Sequence, residues 1–464
     1  MSFRSCKRLA FLAAGYAAIT IASPALLHAQ ESTASPSVAA MLGSAVGGPT
    51  PEQGIVVGGW LVNPSITTSA ILTDNVNATP TNRRSALGLS VVPALEAVRD
   101  WGIHKTSVYA FGEGRFYPFN SQTTQTATYL TGDVGIAHQY QPFKDLTIQF
   151  VADARRSSGL FQPYIGGGSL PSFLPNSNVV TGVGSFVNQF SGGVSVRKDI
   201  TERTFVSATA SAQYVTYDTP NASPFGNLVS PNLNSYSALN GGAYTAALRA
   251  GFYLTPQIYA FVEPSADLRR YQSAWNDSNG LSIRAGLGSD LIGLFRGEIY
   301  AGYSRQTSVY GHFGALSAPS FGAHIFYYPT RYLTLSAAID STLTVSALQP
   351  NASAPFANLA LNGVAAAGRT FQARLQAEYA LSTRWSAYAR GGYGQTVTSS
   401  VYGSSATKIW SAGLGLKYHV WRGLSMAVDY QFNRSFSRNQ LIFAAYSSET
   451  VSANTLSIGL NYRY

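Results

Sequence analysis

Cysteine is nearly absent from this chain. The single one, Cys6, sits in the first ten residues. Past that segment no thiol remains for a disulfide, a thiolate metal site or cysteine catalysis. Charge is also scarce. Asp, Glu, Lys and Arg make up 11% of 464 residues, against about a quarter in ordinary soluble domains. Past the N-terminus no apolar run approaches the roughly 20 residues of a spanning helix. The motifs of hydrolases, zinc proteases and phosphate-binding loops are missing. The six histidines, at 28, 104, 138, 312, 324 and 419, stand singly along the chain and show no metal-ligand spacing. These absences predict no enzyme, no catalytic residues, no metal and no cofactor. Basic residues are in excess, for a net charge of +10. They are scattered rather than clustered, which argues against a nucleic-acid partner.

What replaces charge is Gly, Ser, Thr, Tyr and Asn. That mixture suits strands with one apolar face and one polar, uncharged face. The N-terminus reads as a secretory signal over 1–29. Arg4, Lys7 and Arg8 are its basic start, Leu9–Ala22 its apolar core and Leu27-His28-Ala29 its cleavage site. Residues 30–58 are rich in Ala, Ser, Pro and Gly, and read as a flexible periplasmic segment. Residues 59–464 then form the third unit.

There the text alternates with a period of two. Phe371, Ala373, Leu375, Ala377 and Tyr379 share one face, and Gln372, Arg374, Gln376 and Glu378 the other. A period of two is a strand. About eighteen such segments follow one another, with short connections alternating with long ones, 397–406 and 438–452 among the long loops. In lipid, only helices and closed barrels satisfy every backbone group. The pattern therefore predicts an all-β fold, a transmembrane antiparallel up-and-down barrel of a Gram-negative outer membrane. Short turns would lie in the periplasm and longer loops outside. The last strand, Leu456–Tyr464, places Leu456, Ile458, Leu460, Tyr462 and Tyr464 on the lipid face and Ser457, Gly459, Asn461 and Arg463 inside. It should pair with the strand near 60–72 to close the ring. With Gly459, Tyr462 and Tyr464 it resembles the signal read by the barrel assembly machinery, whose usual last residue is Phe.

The same parity turns charged residues inward, because an Arg on the lipid face at the midplane costs about 2–4 kcal/mol. Glu113, Glu263, Glu298 and Glu378 face Arg115, Arg249, Arg284, Arg374 and Arg390 around a balanced wall, with Tyr259, Tyr300 and Tyr388 among them. Two roles fit this wall: orienting polar solutes, or rigidifying a wet surface by cross-strand pairing. The apolar stretch 157–187, with Phe161, Tyr164 and Phe173, either folds inward to narrow the pore or caps the rim.

One block of motifs points to a family. Pro64 leads to Thr73-Asp74-Asn75-Val76, then come Pro93, Arg99-Asp100-Trp101-Gly102-Ile103-His104 and Gly112-Glu113-Gly114-Arg115-Phe116-Tyr117. This succession resembles the putative β-barrel porin 2 family. The resemblance implies a passive outer-membrane pore for polar solutes or polysaccharide chains, with exopolysaccharide or envelope export components as partners. A general uptake porin for small solutes and a closed structural or adhesive barrel remain the alternatives.

Overall fold

The computed structural model describes residues 54–76, 80–81, 83–117, 129–158, 186–218, 240–311, 314–347, 365–400, 403–421, 423–441 and 447–464. The segment expected to be the signal, most of the lead-in, nearly all of the 157–187 stretch and His312 lie outside the described residues. In chain order the strands are β1 (Ile55–Val57), β2 (Trp60–Thr73), β3 (Ala86–Asp100), β4 (His104–Phe116), β5 (Tyr129–Phe143), β6 (Leu146–Ser158), β7 (Phe186–Asp199), β8 (Thr204–Asp218), β9 (Gly241–Thr255) and β10 (Ile258–Tyr271). They continue as β11 (Ser278–Ile292), β12 (Phe295–Ser308), β13 (Leu316–Thr330), β14 (Leu333–Ala347), β15 (Ala365–Ala380), β16 (Trp385–Ser400), β17 (Gly403–Trp421), β18 (Leu424–Leu441) and β19 (Ser447–Arg463).

Each strand from β2 to β19 pairs antiparallel with the next, and β19 returns to β2. The result is a closed barrel of 18 strands with no free edge, the condition that lipid imposes on a sheet. The closing register pairs Thr455 with Thr73 and Arg463 with Ser65, as the alternation of the last strand predicts. At one end the connections are short, 101–103, 144–145, 200–203, 256–257, 293–294, 331–332, 381–384 and 422–423. In bacterial barrels that end faces the periplasm. Gly102 and Gly293, with φ of 86° and 58°, make two of these turns with backbone that a side chain would strain.

Alternation decides which residues face outward. Leu281, Ile283 and Leu287 on β11 are exposed, as are Val262 and Leu268 on β10 and Ile299 on β12. Their neighbours Glu263, Phe261, Tyr300 and Glu298 are buried. The apolar face is thus the outer one, and the polar face is sheltered inside the ring. Among the described residues no helix is long and apolar enough to cross a membrane; the strands take that place.

Three expectations change. Ile55–Val57, inside the segment read as a flexible lead-in, folds back on Trp60–Val62 as a short hairpin. Its two-residue turn is Gly58-Gly59, with φ of 56° and 82°, the doubly left-handed conformation that tight hairpins demand. The stretches 397–406 and 438–452, read as loops, are largely strand, since β16 runs to Ser400, β17 starts at Gly403, β18 runs to Leu441 and β19 starts at Ser447. Their Ser and Thr residues lack apolar alternation, yet the ladder begun below continues through them. The histidines are not all isolated either. His104 and His138 meet on the outer face, Nδ1 to Nε2 at 3.3 Å, and the His104 ring stacks on Tyr140 at 4.6 Å.

Candidate functional site: the inward wall and its seam

The inward wall is built by register. Glu263 on β10 lies opposite Arg284 on β11, and Glu298 on β12 lies opposite Gly288 of β11 and His324 of β13. The glycine leaves room for long side chains to meet across it. Arg249, reaching over from β9, donates from Nε to Glu263 Oε2 at 2.6 Å. Its Nη1 and Nη2 donate to the two Glu298 oxygens at 2.8 and 3.3 Å. Arg249, Glu263 and Glu298 are only 4%, 2% and 5% exposed. A guanidinium fork matched to carboxylates in this way is the strong form of ion pair. Tyr259 donates to Glu298 Oε2 at 3.2 Å. Arg284 stands 3.9 Å from Glu263 Oε1 and 5.2 Å from the Tyr300 ring centroid. Tyr300 donates to Asp340 Oδ1 at 2.8 Å, where His324 Nε2 also sits at 2.9 Å. One continuous polar network therefore crosses β9 to β14.

A second cluster lies on β16–β18. Arg390 donates from Nη2 to Asp429 Oδ1 at 2.7 Å and to Gln431 Oε1 at 3.3 Å. Tyr388 donates to Asp429 Oδ2 at 2.7 Å. On β15, Arg374 donates to Gln372 at 2.7 Å, and Glu378 accepts from Gln376 at 2.6 Å. On β4, Arg115 pairs with Glu113, which also accepts from Ser90 at 3.2 Å. The structure thus brings Arg249, Glu263, Arg284, Glu298, Tyr259 and Tyr300 into one group and Tyr388 and Arg390 into another. It leaves Glu113 with Arg115, and Arg374 with Glu378, as separate parts of the wall. Among the described residues no cluster of three or more His, Cys, Asp or Glu is placed to hold a metal.

The aromatic residues of this wall follow a rule that sequence reading missed. Their register partners are glycines: Tyr109 with Gly135, Phe205 with Gly251, Tyr259 with Gly288, Phe261 with Gly286, Tyr300 with Gly322 and Tyr388 with Gly415. Each ring lies across the space a side chain would need. A Cβ added at Gly286 would stand 2.8 Å from Phe261 Cζ. Covering a strand glycine with a cross-strand ring keeps the ring against the sheet. The rings and their glycines share a face but lie on different strands, so only the register could show the pairing. Phe205 and Tyr253 also went unread. They join Tyr259 in an edge-to-face cluster, with centroids 5.5 to 5.8 Å apart. Arg197 lies 4.1 Å over Phe205.

The seam is made differently. Gly459 and Asn461 on β19 face Ser69 and Thr67 on β2. Asn461 Nδ2 donates to Thr67 Oγ1 at 2.6 Å. Tyr462 and Tyr464 point outward and are exposed. At the far end Asp74 accepts from the Asn454 backbone N–H at 2.7 Å and from its Nδ2 at 2.6 Å. Asn75 Nδ2 donates to the Ser452 carbonyl at 2.9 Å. Asp74 and Asn75 thereby clasp the first spanning strand to the last. The turn motif has a place as well. Asp100 caps the Gly102 N–H at 3.0 Å, and the Trp101 ring packs against Trp60 at 6.3 Å and under Arg99 at 4.2 Å.

A family model described as putative beta-barrel porin 2 matches residues 48–155 and 175–457. No curated protein matches the chain. Solved structures similar in shape include OccAB3 of Acinetobacter baumannii, with 10% identity, a TM-score of 0.41, and coverage of 88% of this chain and 100% of that one. The FrpB iron transporter of Neisseria meningitidis gives 8%, 0.42, 87% and 81%. The siderophore receptor PirA of A. baumannii gives 9%, 0.39, 87% and 80%.

Proposed function

Because the chain belongs to the putative beta-barrel porin 2 family, an outer-membrane barrel family, we propose that it is a passive pore for polar solutes and sugar polymers, serving an exopolysaccharide or envelope export system. The observation that carries this reading is the inward wall, where rings laid across glycines alternate with paired acids and guanidiniums. The partly exposed rings of Tyr109, Tyr259 and Tyr388 can stack on the C–H faces of sugars, and the charged pairs offer donors and acceptors to hydroxyls. Such contacts are individually weak and repeated around the ring, which lets a chain enter and still leave. Because acids and bases are paired, the wall does not favour ions of one sign. An 18-stranded ring is of the size that leaves an aqueous channel.

The test is reconstitution of the purified protein into planar bilayers, with oligosaccharides of graded length added on one side. Steady conductance with blocking that deepens as the sugars lengthen is the expected result. Conductance indifferent to sugar length would transfer the reading to general uptake of small solutes. Absence of conductance steps would leave a closed structural barrel.

A further inference from the structure

The outer face carries a cluster that the pore does not use. In β15–β18 the register sets outward-facing residues in rows. Arg369, Val397, Ala406 and Arg438 stand in one row; Phe371, Gln395, Lys408 and Phe436 in the next; Ala373, Tyr393, Trp410 and Arg434 in the third. Arg369, Lys408, Arg434 and Arg438 are all exposed. Lys408 is diagonal to both Arg434 and Arg438, a relation that puts side-chain roots about 7–8 Å apart. Arg369 and Arg438 are three strands apart, about 14 Å at the usual spacing.

The place of this cluster along the wall matters as much as its charge. The next rows towards the periplasm are apolar and lipid-facing, with Leu375 and Leu414 at 65% and 62% exposure. Phe371 shares the row of Lys408, and Tyr393 and Trp410 share that of Arg434, with ring centroids 6.0 and 4.4 Å apart, so the cations stand within and beyond an aromatic band of the interfacial kind. Lys408 lies two residues beyond Trp410, roughly 7 Å along the strand, and so at headgroup level on the side away from the short turns. The two carboxylates with described side chains in β15–β19, Glu378 and Asp429, both face inward. Elsewhere on this rim the outward cations carried by strands are single, while Arg83 and Arg84 are neighbours in the β2–β3 connection. Arg156 donates to Asn188 at 3.0 Å, Arg270 has Asp277 at 3.9 Å, and Arg305 stands on β12.

We propose that Arg369, Lys408, Arg434 and Arg438 form a binding site for the phosphate groups of an outer-leaflet lipid, a phosphorylated acyl-sugar whose chains lie on the Leu375–Leu414 surface. Two guanidiniums flanking an ammonium, with a third guanidinium across the strands, suit two phosphates spaced by a sugar unit. The aromatic rows would seat the sugar ring at the boundary between headgroup and acyl chains.

The full-length protein, refolded in neutral detergent, is titrated with bis-phosphorylated lipid A and with the same lipid stripped of phosphate, and binding is read by native mass spectrometry. The phosphorylated lipid should bind at least tenfold more tightly, and each neutralised cation should weaken it about fivefold, as one charge at a lipid surface does. Lys408→Gln should show that loss and Lys408→Arg should restore it. The combined Arg156→Gln, Arg270→Gln and Arg305→Gln variant should bind as the parent does. Equal binding of the two lipids overturns the proposal without recourse to any variant. So does equal weakening by the Lys408→Gln and the combined distant variants, which would mean diffuse rim charge.

Discussion

Two parts of the ring hold together by opposite means. Across β9–β13 the strands are tied inside by buried charge: one guanidinium serves two carboxylates, and tyrosines complete the shell. Across the β19–β2 seam the charge contact is a looser, partly exposed one, Arg463 of β19 reaching over β2 to Glu96 of β3 at 3.7 Å. There the ties are backbone pairs, the Asn461–Thr67 contact and the clasp of Asp74 on Asn454. The difference follows from chain order. Arg249 finds Glu263 and Glu298 within 14 and 49 residues of chain. A seam between positions 60–73 and 455–463 must meet from the two ends of the barrel, where mostly neutral Ser, Thr, Asn and Gly leave little buried charge stranded if it opens. The wall teaches that buried charge is tolerated where its partner is local. The seam teaches that long-range closure is entrusted mainly to uncharged ladders, with one acid at the rim and one partly exposed ion pair at the short-turn end.

The sharpest way to break this contrast is Glu298→Ala. It strands Arg249, and losing one partner of a buried pair costs 3–5 kcal/mol in general. With Glu263 still in contact, about 3 kcal/mol is expected, read as the urea unfolding midpoint in lipid vesicles. A loss below about 1 kcal/mol would mean the wall owes little to its charges. Next comes Asp74→Ala, which removes two hydrogen bonds to a charged acceptor. About 2 kcal/mol is expected, with faster amide exchange at 70–73 and 455–458 and none of it in β9–β13. Exchange that quickens evenly around the ring would remove the clasp from the account.

Gly415→Val tests the paving of the wall. The new side chain must displace Tyr388, at roughly 1–3 kcal/mol for overpacking, and single-channel conductance should fall as the ring is lifted from the sheet. Unchanged conductance would show that the rings do not bound the path. The smallest effect belongs to the turn ends. The hydrogen bond from the Lys198 ammonium holds the exposed Asp145 carboxyl below its usual range. A carboxyl with a lowered folded value adds stability above its unfolded value, near pH 4, and loses it as pH falls through the folded value. Asp145→Asn should therefore lose this small contribution at neutral pH and match the parent in strong acid, which flattens the stability profile between about pH 4 and pH 2.

Much of this was legible in the residues. The period of two in 371–379 gave the strands, the apolar parity gave the inward set, and Leu456–Tyr464 gave its own two faces. The closing partner near 60–72 follows from strand order in a ring. Other features were hidden for physical reasons. In Thr398–Ser400 and Ser404–Ser405 both faces are polar, so no alternation marks the strand. Asp74 and Asn75 were visible as a motif, but Asn454 lies 380 residues away and carries no local sign of the contact. The glycine under each ring is likewise a matter of register, and register depends on the neighbouring strand rather than on the residue itself.

At the short-turn end the Tyr464 backbone N–H reaches the Pro64 carbonyl at 3.2 Å. Start and finish of the ring are therefore neighbours, and as far as the backbone is concerned no strand is first. A short linker from Tyr464 to Gly54, with the chain opened at the two-residue turn 144–145, encodes the same circle of strands in a different reading order. In that permuted chain β19 keeps its partners while its last tyrosine is no longer at a free end, so the pairing duty of the strand separates from any duty of its terminal carboxylate.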